Sequence, residues 1–154
     1  MSGNIDKRLE ELGIELPVPP APAANYVPYT IAGKILTISG QITMGPDGLE
    51  YVGKLGENVD VETGQQAARL CAINILAQAK AALGDLERVK QVVKIQGFVN
   101  ATPDFRDHAQ VINGASNLLA EVLGDAGKHA RAAVGTSSLP FGVATEVDAI
   151  IEFE

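Results

Sequence analysis

Apolar positions recur along this chain in two periods, and the switches between them outline its elements. "NIDKRLEELGI" carries Ile5, Leu9 and Leu12 on one helical face, with Gly13 placed to end the helix. "ELPVPPAPAANYVP" is too proline-rich for a helix or a central strand and predicts an extended arm laid over the surface. "TIAGKILTISGQI" reads as two strand halves around Gly33, "MGPDG" as a turn, and "LEYVGKLG" as a returning strand. Asp60 is placed to cap "VETGQQAARLCAINILAQAKAAL", a long helix running to Gly84. Its expected inner face, small-sided, holds Ala67, Leu70, Ile73, Leu76 and neighbouring alanines. A β-branched strand follows in "RVKQVVKIQGFVN", then a second long helix in "DHAQVINGASNLLAEVLG". Two strands close the chain, "HARAAVGT" and "ATEVDAIIEFE", joined through a Pro-Phe-Gly turn.

Strands and helices mix here without strict βαβ alternation. That order predicts an α+β fold: a mixed sheet with two long helices packed on one face. The other face is then bare, and covering it with further copies of the chain predicts a homo-oligomer. A length of 154 residues fits one domain spanning 1–154, with a short helix and proline-rich arm over 1–24 and a core over 25–154.

Composition narrows the chemistry. Twelve Lys plus Arg against nineteen Asp plus Glu leave a formal net charge of −7, and the basic residues are scattered, which argues against nucleic acid as a partner. Without Trp and with 5% aromatic residues, the chain also lacks the stacking platforms of single-strand binders. No apolar run approaches a membrane span, and the charged start lacks a secretory pattern, so a cytoplasmic location is expected. One cysteine and two histidines offer no metal-ligand spacing, and neither metal nor cofactor is expected. Cys71, on an apolar helix side, reads as a buried inert thiol; His108 and His129, near helix ends, read as solvated.

Arg131 stands apart. Period-two alternation puts it on one strand face with Ala133 and Gly135, leaving an open slot with a guanidinium at one end. A planar fork suits a carboxylate, either on a small ligand or on a protein acid across an interface. On the last strand Val147, Ala149, Ile151 and Phe153 share one face, and Glu146, Asp148, Ile150 and Glu152 the other. Glu146 is read as a solvated acid unless the fold brings it to the pocket of Arg131.

"ISGQI" (Ile38 to Ile42), a tyrosine thirteen residues before its serine, "VIN" opening the second long helix, and "RAAVGTSSLPFGVATEVDAI" together resemble the Rid family. These reactive intermediate deaminases are also called the YjgF family and were once labelled L-PSP endoribonucleases. The resemblance covers roughly Asn25 to Glu152. Its most specific part is an Arg with Leu-Pro eight residues on and Glu fifteen residues after it. It implies a chorismate-mutase-like subunit in a trimeric barrel with clefts between subunits. It also implies hydrolysis of 2-imino or enamino acids to 2-keto acids and ammonia. Arg131 would then bind the substrate carboxylate and Glu146 would position the water. Tyr26 and Ser39 would line the pocket, with Asn113 in support. Ala133 stands where the family usually has a cysteine and would contribute its backbone carbonyl. The partner so implied is a small carboxylate-bearing substrate. The alternatives are a carboxylate-binding protein without turnover and, with less support, an endoribonuclease. The N-terminal helix, the arm and a longer stretch from Gln41 to Asp60 extend beyond the family core, the last of them placed to roof the cleft.

Overall fold

A computed structural model describes residues 3–20 and 25–154. Helix α1 (Asn4–Glu11) precedes strands β1 (Tyr29–Ala32) and β2 (Ile35–Gln41) and a small hairpin, β3 (Met44–Gly45) and β4 (Gly48–Leu49). Then come α2 (Val61–Leu83), β5 (Val89–Asn100), α3 (His108–Leu123), β6 (Ala130–Thr136) and β7 (Thr145–Phe153). Five strands make one sheet in the order β1-β2-β7-β5-β6, antiparallel except for the parallel pair β5 and β6. Both long helices cover one face, giving the α+β arrangement expected from the sequence.

The elements form where local chemistry asks for them. The turn between β1 and β2 has two residues, and Gly33 takes its left-handed position at φ 61°. The Asp60 carboxylate accepts the Thr63 amide at 2.8 Å, capping α2; hydrogen bonding from the Thr63 side chain first, and from this amide second, holds its pKa below the ordinary value. On β7 every second residue, Thr145 through Phe153, is buried beneath the helices, while the intervening ones face away.

Two expectations are corrected. "LEYVGKLG" is no strand of the sheet: beyond the two-residue β4 it is an irregular segment that touches the fold at single bridges, Val52 with Val143 and Leu55 with Ala101. Its backbone groups pair instead with scattered partners, Leu55 with Asn100 and Thr102, Gly53 with Gly142 and Tyr51 with Ala144, and Leu55 is the apolar plug that fixes it. The inner face of α2 is as expected at Ala67, Leu76 and the neighbouring Ala68, Ala72 and Ala79, all fully buried, but Ile75 is fully buried as well, whereas Leu70 and Ile73 are half-buried. The reason is that α2 is covered on several sides; Asn74 donates to the carbonyls of Ile42 and Met44, binding the β3 segment onto it.

The N-terminal helix docks rather than dangles. Leu9 is buried, the Ile5 amide donates to Glu87, and Arg8 reaches the Val122 carbonyl at the end of α3. The part of the arm over 21–24 lies outside the described residues.

Helices α2 and α3 approach so closely that a Cβ on Gly114 would lie 2.0 Å from the Gln65 carbonyl oxygen. Gly→Ala inside a helix ordinarily gains about 1 kcal/mol. Here the backbone clash, typically ~1–3 kcal/mol for an overpacked core, outweighs it. Gly114→Ala is therefore expected to lower the thermal midpoint; a raised midpoint would show that the helices can part without cost.

Candidate functional site

The β5–β6 register pairs Ile95 with Arg131, Gly97 with Ala133 and Val99 with Gly135. Ile95, Gly97 and Val99 lie under the helices, so Arg131, Ala133 and Gly135 face that side too, along the free edge of the sheet. Space on this face is tight above the glycines. A Cβ at Gly97 would meet Ile112 at 2.6 Å, and one at Gly135 would meet the His108 imidazole at 2.5 Å.

The Arg131 side chain runs over the edge onto α3. Its Nη1 donates to Ser116 Oγ at 3.0 Å and its Nη2 to the Ala109 carbonyl at 3.2 Å. Asn113 sits between these two on the same stripe of α3, four residues from Ala109 and three from Ser116. Among the described residues Arg131 forms no salt bridge with a carboxylate; the three ion pairs present are Lys80–Asp6, Lys90–Glu152 and Lys128–Asp125. The guanidinium is held entirely by neutral acceptors.

Glu146 is on the opposite side. It pairs with Phe98 of β5, one position out of phase with the Ile95–Ala149 pair, so it projects from the face the helices leave open. Between Ile38 and Gln41 the β2–β7 register shifts, and the bulge holds Ser39 and Gly40. A Cβ on Gly40 would lie 2.5 Å from a Glu146 carboxylate oxygen, so the glycine leaves the room this carboxylate fills. Glu146 is half-buried; desolvation, with a smaller contribution from Asp148, raises its pKa above the usual carboxylate value. Asp148 is raised too, by desolvation first.

Tyr26 and Ser39 share a cleft of about 650 Å³ with Thr30 and Thr37. Ser39 Oγ donates to the Val27 carbonyl at 2.8 Å, so the hydroxyl pins the segment that carries Tyr26. The proline arm and the 41–46 stretch border a second cleft beside Gly40, of about 470 Å³.

The sequence-predicted residues thus fall into two sets. Arg131, Ala133 and Asn113 gather at the β6 edge on the helix side, while Tyr26, Ser39 and Glu146 lie on the β2 side, with Glu146 on the open face. Within one chain the sheet stands between Arg131 and Glu146. Gly40 was missed as a site residue, although a glycine inside an apolar strand is a known sign of a bulge or close approach. His129 is not solvated as expected: both ring nitrogens are engaged, with Ser116 Oγ at 2.9 Å and the Gly127 carbonyl at 2.6 Å. Cys71 is fully buried beside Thr145, and burial pushes its thiol up to about 12, which leaves it inert as a nucleophile. Among the described residues no group of three or more His, Cys, Asp or Glu could hold a metal ion, and no helix is long and apolar enough to cross a membrane.

Residues 6–152 match the family model described as "YjgF/chorismate mutase-like, putative endoribonuclease". The chain belongs to the YjgF/chorismate mutase-like family. Protein TCP17 of Trypanosoma cruzi is 49% identical over 152 residues, covering 98% of this chain and 95% of the relative. A crystal structure of a protein of unknown function from Agrobacterium tumefaciens superposes with a TM-score of 0.92 at 54% identity, covering 97% of this chain and 92% of that one. The YjgF gene product of Escherichia coli gives 0.60 at 31% identity over 86% of this chain and 92% of its own. The high score of the first structure against the lower one of the second fits a family branch that shares the extra N-terminal and loop segments.

A raised folded pKa for an acid favours the protonated form. Its stabilising contribution is complete below the unfolded pKa and is lost as pH rises through the folded value. Ionised Glu146 therefore works against folding near neutrality. Glu146→Gln is expected to raise the thermal midpoint at pH 7, with the gain shrinking toward roughly pH 4, where the carboxyl is protonated anyway. A gain independent of pH would mean that charge is not its cause.

Proposed function

We propose that the protein is a deaminase that hydrolyses 2-imino or enamino acids to 2-keto acids and ammonia, in clefts shared between subunits of a homotrimer. The observation that carries this reading is the uncompensated guanidinium of Arg131. It is held by a hydroxyl and a carbonyl, with no acid among the described residues paired to it, and the same-face residues beside it are Ala133 and Gly135. A cation kept this way is matched to a visiting carboxylate. The sidedness of the sheet supports the shared cleft. Arg131 lies at a free edge and Glu146 on an uncovered face, so a cyclic arrangement can set the edge of one protomer against the open face of the next.

The chemistry needs few groups. Arg131 binds the substrate carboxylate and presents the imine carbon to a water. Water oxygen adds to that carbon while Glu146 takes one of its protons and passes it to the nitrogen, giving a carbinolamine. The proton of the new hydroxyl then moves to the nitrogen through Glu146, the C–N bond breaks as the carbonyl forms, and the keto acid and ammonia leave. The carbon is already electrophilic, so orientation and one base suffice. The raised pKa of Glu146 brings its basicity nearer that task. Tyr26, Asn113 and the backbone carbonyl of Ala133 would complete the pocket.

Binding without turnover is a second reading, favoured by Ala133 in place of the family cysteine. The endoribonuclease of the family description fits less well with a net charge of −7 and scattered basic residues.

Iminopyruvate generated in situ should release ammonia faster in the presence of the protein. Glu146→Gln is expected to lower kcat by about 10²–10⁴-fold. Arg131→Ala should raise KM by about 10–100-fold, the loss of charge-assisted hydrogen bonds worth roughly 1.5–3 kcal/mol. Sedimentation should give three times the chain mass. A wild-type protein that binds 2-keto acids but never accelerates ammonia release would establish the binding reading instead, and a monomer in solution would remove the shared cleft.

A further inference from the structure

We propose that Ser116 and His129 form a hydrogen-bonded relay that sets the direction of the Arg131 guanidinium, making both of them positioning residues for carboxylate binding. The inference rests on the reading of Arg131 given above, but its first test does not depend on that reading.

Donor and acceptor chemistry fixes every bond in the chain. A guanidinium only donates, so Ser116 Oγ accepts from Arg131 Nη1 at 3.0 Å. At the other end the Gly127 carbonyl only accepts, so His129 Nδ1 carries a proton toward it at 2.6 Å. In a neutral imidazole Nε2 is then a bare acceptor, 2.9 Å from Ser116 Oγ. The serine proton has one place to go: it is donated to Nε2. The order is Arg131 Nη1–H to Ser116, Ser116 O–H to His129, and His129 Nδ1–H to Gly127.

This order has a consequence for Arg131. With its proton committed to the imidazole, Ser116 turns a lone pair toward the guanidinium, and each bond polarises the next. Without His129 the hydroxyl is free to rotate and bond a carbonyl one turn back in α3, as helical serines do. An arginine side chain has many rotamers to lose, and beside Ala133 and Gly135 no bulky same-face neighbour on β6 confines it. The relay supplies the confinement. It does so without a negative charge; together with the bond to the Ala109 carbonyl it engages two of the five N–H donors, leaving three for a ligand.

The first test reads the imidazole directly. In the ¹⁵N-labelled full chain at pH 8, above the ordinary imidazole range, His129 should show the Nδ1–H tautomer with an unprotonated Nε2. Only two histidines are present, so His108→Gln assigns the signals. The Nε2 resonance should shift in both Ser116→Ala and Arg131→Gln. An Nε2–H tautomer, or a resonance unmoved by either substitution, overturns the relay whether or not the protein is a deaminase.

The second test reads function. Ser116→Ala and His129→Phe should each raise the KM for the imino acid about 5–10-fold, as a lost neutral hydrogen bond of roughly 1 kcal/mol would. The kcat should stay within about twofold, because the loss is of uniform binding. The double variant should be no worse than either single, and Ser116→Thr should restore KM. Fully additive losses, or a fall in kcat with KM unchanged, would overturn the positioning role. If the wild type shows no turnover, the same comparison is made on calorimetric affinity for 2-oxobutanoate; if it neither turns over nor binds any 2-keto acid, the reading of Arg131 falls, while the tautomer still decides the relay.

Discussion

The β5 ladder between Ile95 and Val99 is the constraint from which the rest of the site follows. Over these residues β5 bonds β6 on one edge and β7 on the other with no shift in register. Because side chains alternate with a period of two, one register decides both charges: Arg131 goes under the helices and Glu146 goes over the open face. A slip of one residue in either neighbour would turn its charge to the opposite face, and on β7 it would also drive Val147, Ala149 and Ile151 out of the core. Gly97, closed over by Ile112, locks the register from the helix side. The two charges cannot be brought together by repacking side chains. Either a neighbouring protomer brings them to one cleft, or they never cooperate.

Small residues then make the space that the charges use. Gly40 yields its Cβ volume to the Glu146 carboxylate, and Gly135 yields to His108. The open slot expected above β6 is thereby closed: Ala133 packs against the core, and His108 covers Gly135. The arrangement is unfavourable for the isolated fold, since Glu146 is desolvated without a cation and Arg131 is held without an anion. Such uncompensated polar groups are retained where function needs them, and a stabler sequence could pair or remove them.

Much of this was legible in the chain. The long helices, the strand over "RVKQVVKIQGFVN" and the closing pair follow from apolar period, and alternation alone placed Arg131, Ala133 and Gly135 on one face and Glu146 on the other face of its own strand. What alternation could not supply was the relation between the two strands, because that depends on pairing through β5. Leu70 and Ile73 were misplaced on the inner face of α2 for a related reason. Its alanines fit any side, and only the docking of the 42–44 segment shows how many sides are covered. The Ser116–His129 contact was hidden because it joins a helix to the segment before a strand, thirteen residues away in sequence, with no motif to mark it. "LEYVGKLG" has a strand's composition, but its partners lie at the ends of β5 and β7 instead of along an edge.

The relay and the carboxylate also bear on each other in the proposed cleft. Setting the edge of one protomer on the open face of the next would desolvate Arg131 and Glu146 further, and each charge would become more costly alone. Direct pairing of the two would relieve that cost and close the site. A neutral relay from α3 opposes such a collapse, because it holds the guanidinium by two bonds toward its own helix and away from the sheet's other face. A substrate carboxylate is then what satisfies Arg131, and Glu146 is left without a cation, its proton affinity still raised. That is the condition in which a carboxylate draws a proton from water, so in such a cleft the groups that would keep the arginine from Glu146 are also the ones that would keep this acid a base.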